Sequence, residues 1–141
     1  MEEKKKKIVM FEDEVLLSEM YKNHFEKEGF EFKLFERAPE NLIETIIKEK
    51  PDIISMDIIL PGLNGYEITK KIKADPRIKD IPIIGFDNLG GKEYIEKAIN
   101  SGMEDYYIKA DQTPSEYVKN IKTYVESPKE YKCNFKHIID K

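Results

Sequence analysis

This 141-residue chain contains five short apolar runs. Acidic side chains directly follow three of these runs, and a lysine follows another. Glu12 and Asp13 come after the first run, Asp57 after the third, Asp87 after the fourth and Lys109 after the fifth. Crowded carboxylates repel one another and resist full ionisation unless a cation joins them. A hard divalent ion such as Mg²⁺, which prefers oxygen ligands and keeps several waters, resolves that conflict. The lysine adds a point positive charge suited to a phosphoryl oxygen.

The apolar runs alternate with longer stretches of helical periodicity, the pattern of a parallel sheet with crossover helices. Three of the runs are apolar nearly throughout, which indicates strands buried on both faces. Right-handed crossovers between five βα units favour a doubly wound, flavodoxin-like α/β fold with a five-stranded parallel sheet, strand order 2-1-3-4-5 and five helices. The predicted strands are Ile8–Phe11, Phe32–Phe35, Ile53–Met56, Ile81–Phe86 and Tyr106–Ile108.

This fold would bring the candidate residues to one rim. In an open α/β sheet the working site lies outside the carboxyl ends of the strands, where the strand order reverses. Acidic residues after strands also cap helices, and Glu12, Asp13 and Glu14 are placed to do so for the first helix. Taken singly, each fits capping or solvation as well as a site. Their joint placement at three neighbouring strand ends, with a lysine at a fourth, favours a site.

The overall composition limits the classes of function. Hydrophobic residues make up 40% and charged residues 37%, a balance expected of one soluble domain. A net charge of −4 argues against a nucleic-acid-binding surface, which needs a basic face. No apolar stretch approaches the ~20 residues needed to cross a bilayer, so we expect a cytoplasmic protein without a membrane partner. The single cysteine, Cys133, excludes an internal disulfide and a cysteine-based metal site.

Three motifs, in order and at matching spacing, resemble those of response-regulator receivers, the modules that accept phosphoryl groups from histidine kinases. The segment 10–14 resembles the acidic pair after the first strand of that family. The segment 57–65 has the family's aspartate, with Pro61 four residues on and Gly65 eight residues on. The segment 102–109 resembles the fifth-strand motif. The resemblance runs from Lys7 to about Val125 and predicts a receiver domain over residues 1–126.

The resemblance implies a role for each site residue. Asp57 would be the phospho-acceptor, Lys109 would contact the phosphoryl group, and Tyr106 would be the aromatic switch. Glu12 and Asp13 would hold Mg²⁺ together with Asp57 and the backbone carbonyl of Ile59. The chemistry agrees, because a carboxylate attacks phosphorus only if a metal and a lysine offset its repulsion from the phosphoryl oxygens.

The same resemblance implies the partners. These are a histidine kinase or phosphotransfer protein and a downstream target protein. At most slow self-dephosphorylation is expected, and not catalysis in the usual sense. No feature of the sequence sets an oligomeric state.

Residues 127–141 form a C-terminal tail that is too short for an effector domain. Tyr131, Phe135, Ile138 and Ile139 recur in it at helical spacing. This spacing predicts a short helix packed on the domain, with a docking segment for a partner as the alternative.

The end of the fourth strand departs from the family pattern. A typical receiver has a threonine or serine there, whose hydroxyl bonds a phosphoryl oxygen and draws the loop inward while the aromatic side chain fills the space. Here Asp87 stands at that position, Asn88 follows it, and Ala110 replaces the proline that commonly follows the lysine. An ionised carboxylate cannot donate a hydrogen bond and would repel a phosphoryl group.

The departure leaves alternatives open. Asp87 could pair with Lys109, add a ligand to the metal, or point away while Asn88 supplies the donor. The function is then either a phospho-accepting receiver or a receiver-shaped interaction module that phosphorylation does not switch.

Overall fold

Short apolar runs form the strands of a five-stranded parallel sheet in this computed structural model, which describes residues 4–135. The strand order is β2-β1-β3-β4-β5, and each neighbouring pair is parallel. This arrangement confirms the predicted doubly wound, flavodoxin-like fold. The strands are β1 (Lys7–Phe11), β2 (Glu31–Phe35), β3 (Ile53–Met56), β4 (Ile83–Asp87) and β5 (Asp105–Ile108).

Four α-helices connect the strands, and in the described part of the chain a short 3₁₀ helix and a fifth α-helix follow β5. They are α1 (Val15–Lys27), α2 (Leu42–Glu49), α3 (Gly65–Lys73), α4 (Lys92–Ser101) and α5 (Pro114–Glu126), with the 3₁₀ helix at Lys109–Asp111. Reciprocal capping boxes begin α3 at Asn64 and α5 at Thr113, where side chain and backbone satisfy N–H groups that a helix start leaves free. None of the helices within residues 4–135 is long and apolar enough to span a membrane.

The sheet separates two apolar layers, because successive side chains of a strand point to opposite faces. Along β1, Val9 and Phe11 belong to one layer, and Ile8 and Met10 to the other. The first layer packs under α2, α3 and α4, and the second under α1 and α5. The three inner strands β1, β3 and β4 are buried almost throughout, so the carboxyl ends of these strands are held by a rigid core.

Five predicted strand ends differ from the structure: β1 and β2 each begin one residue earlier than predicted, at Lys7 and Glu31, and the other three lie in β4 and β5. We predicted that β4 begins at Ile81, but it begins at Ile83, because Ile81 closes a turn onto Ile78 and Pro82 has no N–H to donate. The strand also extends through Asp87, which pairs in register with Ile108 of β5. Strand β5 begins one residue earlier than predicted, at Asp105.

Residues of the tail fold back against edge strand β5. The buried Asp105 carboxylate accepts hydrogen bonds from the backbone N–H groups of Asn134 (2.7 Å) and Phe135 (2.8 Å) and from the Tyr131 hydroxyl. The Asn134 side chain donates to the Tyr106 carbonyl at 2.9 Å. The tail is therefore tied to the domain as far as residue 135. The predicted helix involves Ile138 and Ile139, which lie outside the described residues, and it stays a prediction.

Candidate functional site

The carboxyl ends of β1, β3 and β5 bring three buried charged groups together. Lys109 Nζ lies 2.6 Å from Glu12 Oε1 and 3.3 Å from Asp57 Oδ2. The side chains of Glu12 and Asp57 are 2% and 6% exposed and that of Lys109 is 13% exposed, so water screens these contacts weakly. Burial alone would lower the pKa of Lys109, but the two carboxyl groups outweigh it and raise that pKa, which keeps the ammonium charged.

Carboxylate oxygens are placed where they could hold a hard cation. Glu12, Asp13 and Asp57 each offer one oxygen, and these oxygens lie within 4.8 Å of one another. Asp13 is exposed, whereas the other two are buried. Glu12 Oε2 also accepts the N–H of Glu14 at 3.1 Å, which orients that carboxylate at the start of α1. The oxygen donors and the open side at Asp13 fit Mg²⁺, which keeps part of its water shell.

The carboxyl groups of Asp57 and Asp87 share a hydrogen bond and titrate as a pair. Burial raises the pKa of Asp57, and the bond to Asp87 and the charge of Glu12 raise it further, against the opposing effect of Lys109. Burial would also raise the pKa of Asp87, but the bond from Asp57 and several backbone N–H groups outweigh it and lower that pKa. Without a bound cation, the shared proton therefore belongs to Asp57, and Asp87 is ionised.

Four backbone N–H groups donate to the Asp87 carboxylate. Its Oδ2 accepts from Ile58 (2.9 Å) and Ile59 (3.2 Å), which directly follow Asp57. Its Oδ1 accepts from Asn88 (2.6 Å) and Leu89 (3.3 Å) in its own loop. The side chain is thus aimed into the site and bound by amides, so it neither pairs with Lys109 nor points away, and its use as a metal ligand stays a prediction.

The other two departures from the family pattern are partners in a single hydrogen bond. Asn88 Oδ1 accepts the backbone N–H of Ala110 at 2.8 Å. A proline at position 110 would have no N–H to donate. The asparagine and the alanine together therefore join the loop after β4 to the loop after β5.

Tyr106 is fully buried, with its hydroxyl donating to the Leu89 carbonyl at 2.7 Å. Its ring lies against Gly85, the residue beside it in the β4–β5 register. A Cβ at position 85 would lie 2.4 Å from Tyr106 Cδ2, so only glycine leaves room for the ring in this position. We did not predict a role for Gly85 from the sequence, although a glycine inside a buried strand is a signal of close approach.

The remaining predicted residue, Ile59, lies in the loop after Asp57 with a largely exposed side chain. Its N–H bonds Asp87, and the use of its carbonyl as a metal ligand stays a prediction. Gly65 begins α3 where only glycine fits, because a Cβ there would lie 2.1 Å from the Asp57 carbonyl oxygen. The rim thus gathers Glu12, Asp13, Asp57, Asp87 and Lys109 at the carboxyl ends of the strands.

The family comparison agrees with the fold and the acidic rim. Residues 8–122 match the family model described as the response regulator receiver domain. The chain belongs to this family and is a receiver domain of a two-component response regulator. Receiver domains are signalling modules.

Curated relatives support the same assignment at modest identity. The polar-differentiation response regulator DivK of Brucella ovis is 29% identical over 120 residues, which are 85% of this chain and 96% of the relative. The phosphate regulon transcriptional regulatory protein PhoB of Rhizobium meliloti is 32% identical over 109 residues, 77% of this chain. This chain matches only 47% of that relative's length.

Solved structures share the fold. A putative response regulator from Chloroflexus aurantiacus superposes with a TM-score of 0.77 at 25% identity, over 86% of this chain and 98% of that one. The receiver domain of the Pseudomonas aeruginosa sensor histidine kinase PA1611, which has a magnesium ion in its active-site cleft, gives a TM-score of 0.76 at 22% identity. That alignment covers 88% of this chain and 100% of the other.

Proposed function

We propose that Asp57 accepts a phosphoryl group from a histidine kinase or phosphotransfer protein in a Mg²⁺-dependent reaction, and that the chain passes the signal on by binding a target protein. The observation that carries this proposal is the position of Asp57. Its buried carboxyl group lies 3.3 Å from the Lys109 ammonium and within 4.8 Å of the Glu12 and Asp13 oxygens. A nucleophilic carboxylate needs such positive charge and oxygen ligands around it.

Asp57, Lys109 and the neighbouring acidic residues have different roles in this transfer. An Asp57 oxygen forms the bond to phosphorus while the bond from phosphorus to the donor's leaving group breaks. Lys109 is held by Glu12 at 2.6 Å, and from there its charge reaches the oxygens of the incoming group. A Mg²⁺ ion held by Glu12, Asp13 and Asp57 would supply the charge that displaces the Asp57 proton and offsets the phosphoryl charge.

Exposed apolar side chains beside the acidic rim support a protein partner. Val15 and Leu16 lie at the start of α1, directly after the segment that carries Glu12 and Asp13, and Ile59 lies in the loop after Asp57. Leu16 is 89% exposed and Ile59 65% exposed. Exposed apolar residues beside a polar site are typical of a surface that a partner covers.

Phosphoryl uptake from a small donor tests the proposal without a cognate kinase. Wild type and Asp57→Asn would be incubated with acetyl phosphate and Mg²⁺, and the phosphorylated fraction read by intact mass. We expect labelling in wild type that is lost in Asp57→Asn and on chelation of Mg²⁺. The matched control is Asp80→Asn, which changes an exposed aspartate and should label normally. Labelling that survives in Asp57→Asn would contradict the proposal.

A second function is favoured by one observation. Asp87 already accepts from four backbone amides, one of which, that of Ile58, also lies 3.2 Å from Asp57 Oδ1, so the domain could serve as an interaction module that phosphorylation does not switch. The two functions differ in one measurable respect. A switched receiver changes conformation when it binds beryllofluoride with Mg²⁺, and an unswitched module does not.

A further inference from the structure

Asp87 is an anion that the domain itself places in an anion-binding site. Backbone N–H groups that converge from loops form concave sites for phosphate and carboxylate groups. Here the Ile58 and Ile59 amides converge with those of Asn88 and Leu89, and the Asp87 carboxylate accepts from all four. Four donated N–H bonds favour the ionised form of a carboxylate, so the occupant of this site is an anion.

One of these amides lies beside the position that a group on Asp57 would take. The Ile58 N–H lies 3.2 Å from Asp57 Oδ1 as well as 2.9 Å from Asp87 Oδ2. An anionic group attached to Asp57 would therefore compete with Asp87 for the Ile58 amide. Two anions cannot both use this donor at close range, since like charges ~4 Å apart repel strongly in a partly buried site.

Asp87 also connects this anion site to Tyr106. Its Oδ1 accepts the N–H of Leu89, and the carbonyl of Leu89 accepts the Tyr106 hydroxyl at 2.7 Å. Asn88 adds a bond to the Ala110 amide, which fixes the same loop from its other side. The loop after β4 is thereby tied to the loops after β3 and β5, and the Leu89 carbonyl stays where Tyr106 can reach it.

We infer that Asp87 is a built-in substitute for the phosphoryl group. It occupies the amides that a group on Asp57 would use and holds Tyr106 buried in the unphosphorylated protein. The comparison with a phosphoryl group rests on the proposed function of Asp57, whereas the hold on Tyr106 does not. Phosphorylation would then exchange one anion for another at the same donors and leave Tyr106 nearly unmoved.

The test follows Tyr106 in the absence of any phosphoryl donor. Proteins with ¹³C-labelled tyrosine rings would be compared by NMR as wild type, Asp87→Ala and the exposed-site control Asp80→Ala. We expect one buried Tyr106 environment in wild type and in the control. In Asp87→Ala the ring signal should shift or broaden as the ring leaves its position. Amide exchange at residues 58, 59 and 89 should accelerate about tenfold or more, since bonds to a charged acceptor are lost.

An added anion tests the same site independently. Asp87→Ala leaves the amides without an acceptor, and formate is a carboxylate small enough to replace the one removed. Formate should restore slow amide exchange and the buried Tyr106 signal, whereas the same concentration of chloride should not. If Asp87→Ala does not fold, Asp87→Asn keeps the shape but loses the charge and one acceptor oxygen, and it should show the same effects more weakly. Tyr106 and amide signals identical to wild type in the folded variant would overturn the inference.

Beryllofluoride separates this inference from the proposed function. With Mg²⁺, it should return Tyr106 to its buried position in Asp87→Ala and leave the Tyr106 signal of wild type in place, so that any conformational change in wild type lies away from Tyr106. Failure of beryllofluoride to bind either protein would contradict the function proposed for Asp57. The comparison of Tyr106 between the two unliganded proteins would still decide the role of Asp87.

Discussion

Replacing Lys109 by methionine tests whether the charge of this lysine stabilises the buried carboxylates of the acidic rim. Methionine keeps most of the length and apolar volume of the side chain but removes the charge. In the structure the ammonium lies 2.6 Å from a Glu12 oxygen, and both side chains are largely buried. At that distance and an effective dielectric of ~20, the gross attraction is about 6 kcal/mol, part of which offsets the cost of burying the two charges.

The expected loss follows from the charge that remains behind. Lys109→Met leaves the Glu12 carboxylate buried without its cation, a change that typically costs ~3–5 kcal/mol. Urea unfolding in the presence of a chelator should therefore show a free energy of unfolding lower by about that amount. Added Mg²⁺ should recover part of the loss, because the ion supplies positive charge to the same oxygens.

The exposed pair of Lys92 and Glu96 provides the matched control. These groups are 3.9 Å apart on α4, and both side chains are more than half exposed. Lys92→Met makes the same chemical change and should cost less than ~1 kcal/mol, as surface pairs do. If Lys109→Met costs no more than Lys92→Met, the rim does not depend on Lys109 for charge balance, and our account of the site is wrong.

Three further predictions concern the proton, the tyrosine pocket and the tail. Burial and the bond to Asp87 raise the pKa of Asp57 from its ordinary 3.8 to about 10. Between those two pH values native Asp57 keeps its proton while the unfolded chain releases it, so the metal-free protein should lose stability as the pH rises, by at most ~1.4 kcal/mol per pH unit. Thermal melts in chelator should show this loss, and Asp57→Asn should abolish it. Gly85→Ala places a methyl group 2.4 Å from the Tyr106 ring and should displace the ring, lowering the free energy of unfolding by ~1–3 kcal/mol. NMR of that ring and urea unfolding would measure the two effects, and an unmoved ring would refute the packing argument. Asp105→Asn replaces one of the two acceptor oxygens with a donor, which would face the N–H and O–H groups that now bind the carboxylate. The free energy of unfolding in urea should fall by ~3–5 kcal/mol. A fall below ~1 kcal/mol would show that the tail contacts contribute little.

The fold could be predicted from the sequence because its determinants are local. Short apolar runs separated by helical stretches defined the strands, and the right-handed crossover rule limited their order. The errors arose where local pattern and pairing disagree. Ile81 continues the apolar run of β4, but it belongs to a turn that ends at Pro82, and the ladder with β3 begins only at Ile83.

The composition of the rim could be predicted, but its hydrogen bonding could not. Placing Glu12, Asp57 and Lys109 together needed only the rule that parallel strands end at one edge. Two of the four partners of Asp87 are backbone amides 28 and 29 residues earlier in the chain, and backbone groups carry no signature in the sequence. For the same reason, Asn88 and Ala110 read as two separate departures until the structure showed one bond between them.

The tail illustrates a second limit of sequence patterns. Its aromatic spacing indicated packing on the domain, yet the residue that holds it is Asp105. In the sequence this residue looks like one more charged residue before the predicted start of β5 at Tyr106. Burial of that carboxylate depends on donors from Tyr131, Asn134 and Phe135, almost thirty residues later in the chain. Such long-range polar pairs follow from the packed structure and not from local periodicity.

The central claim is that Asp57 carries the phosphoryl group, and chemical mapping of the acyl phosphate tests it most directly. Protein treated with acetyl phosphate and Mg²⁺ would be reduced with borohydride, which converts a phosphorylated aspartate to homoserine, and the peptides would be sequenced by mass spectrometry. We predict homoserine at position 57 alone, dependent on Mg²⁺, with a higher yield in Asp87→Ala, where the competing anion is gone. Homoserine at Asp13 or Asp87, or none in either protein, would contradict the account.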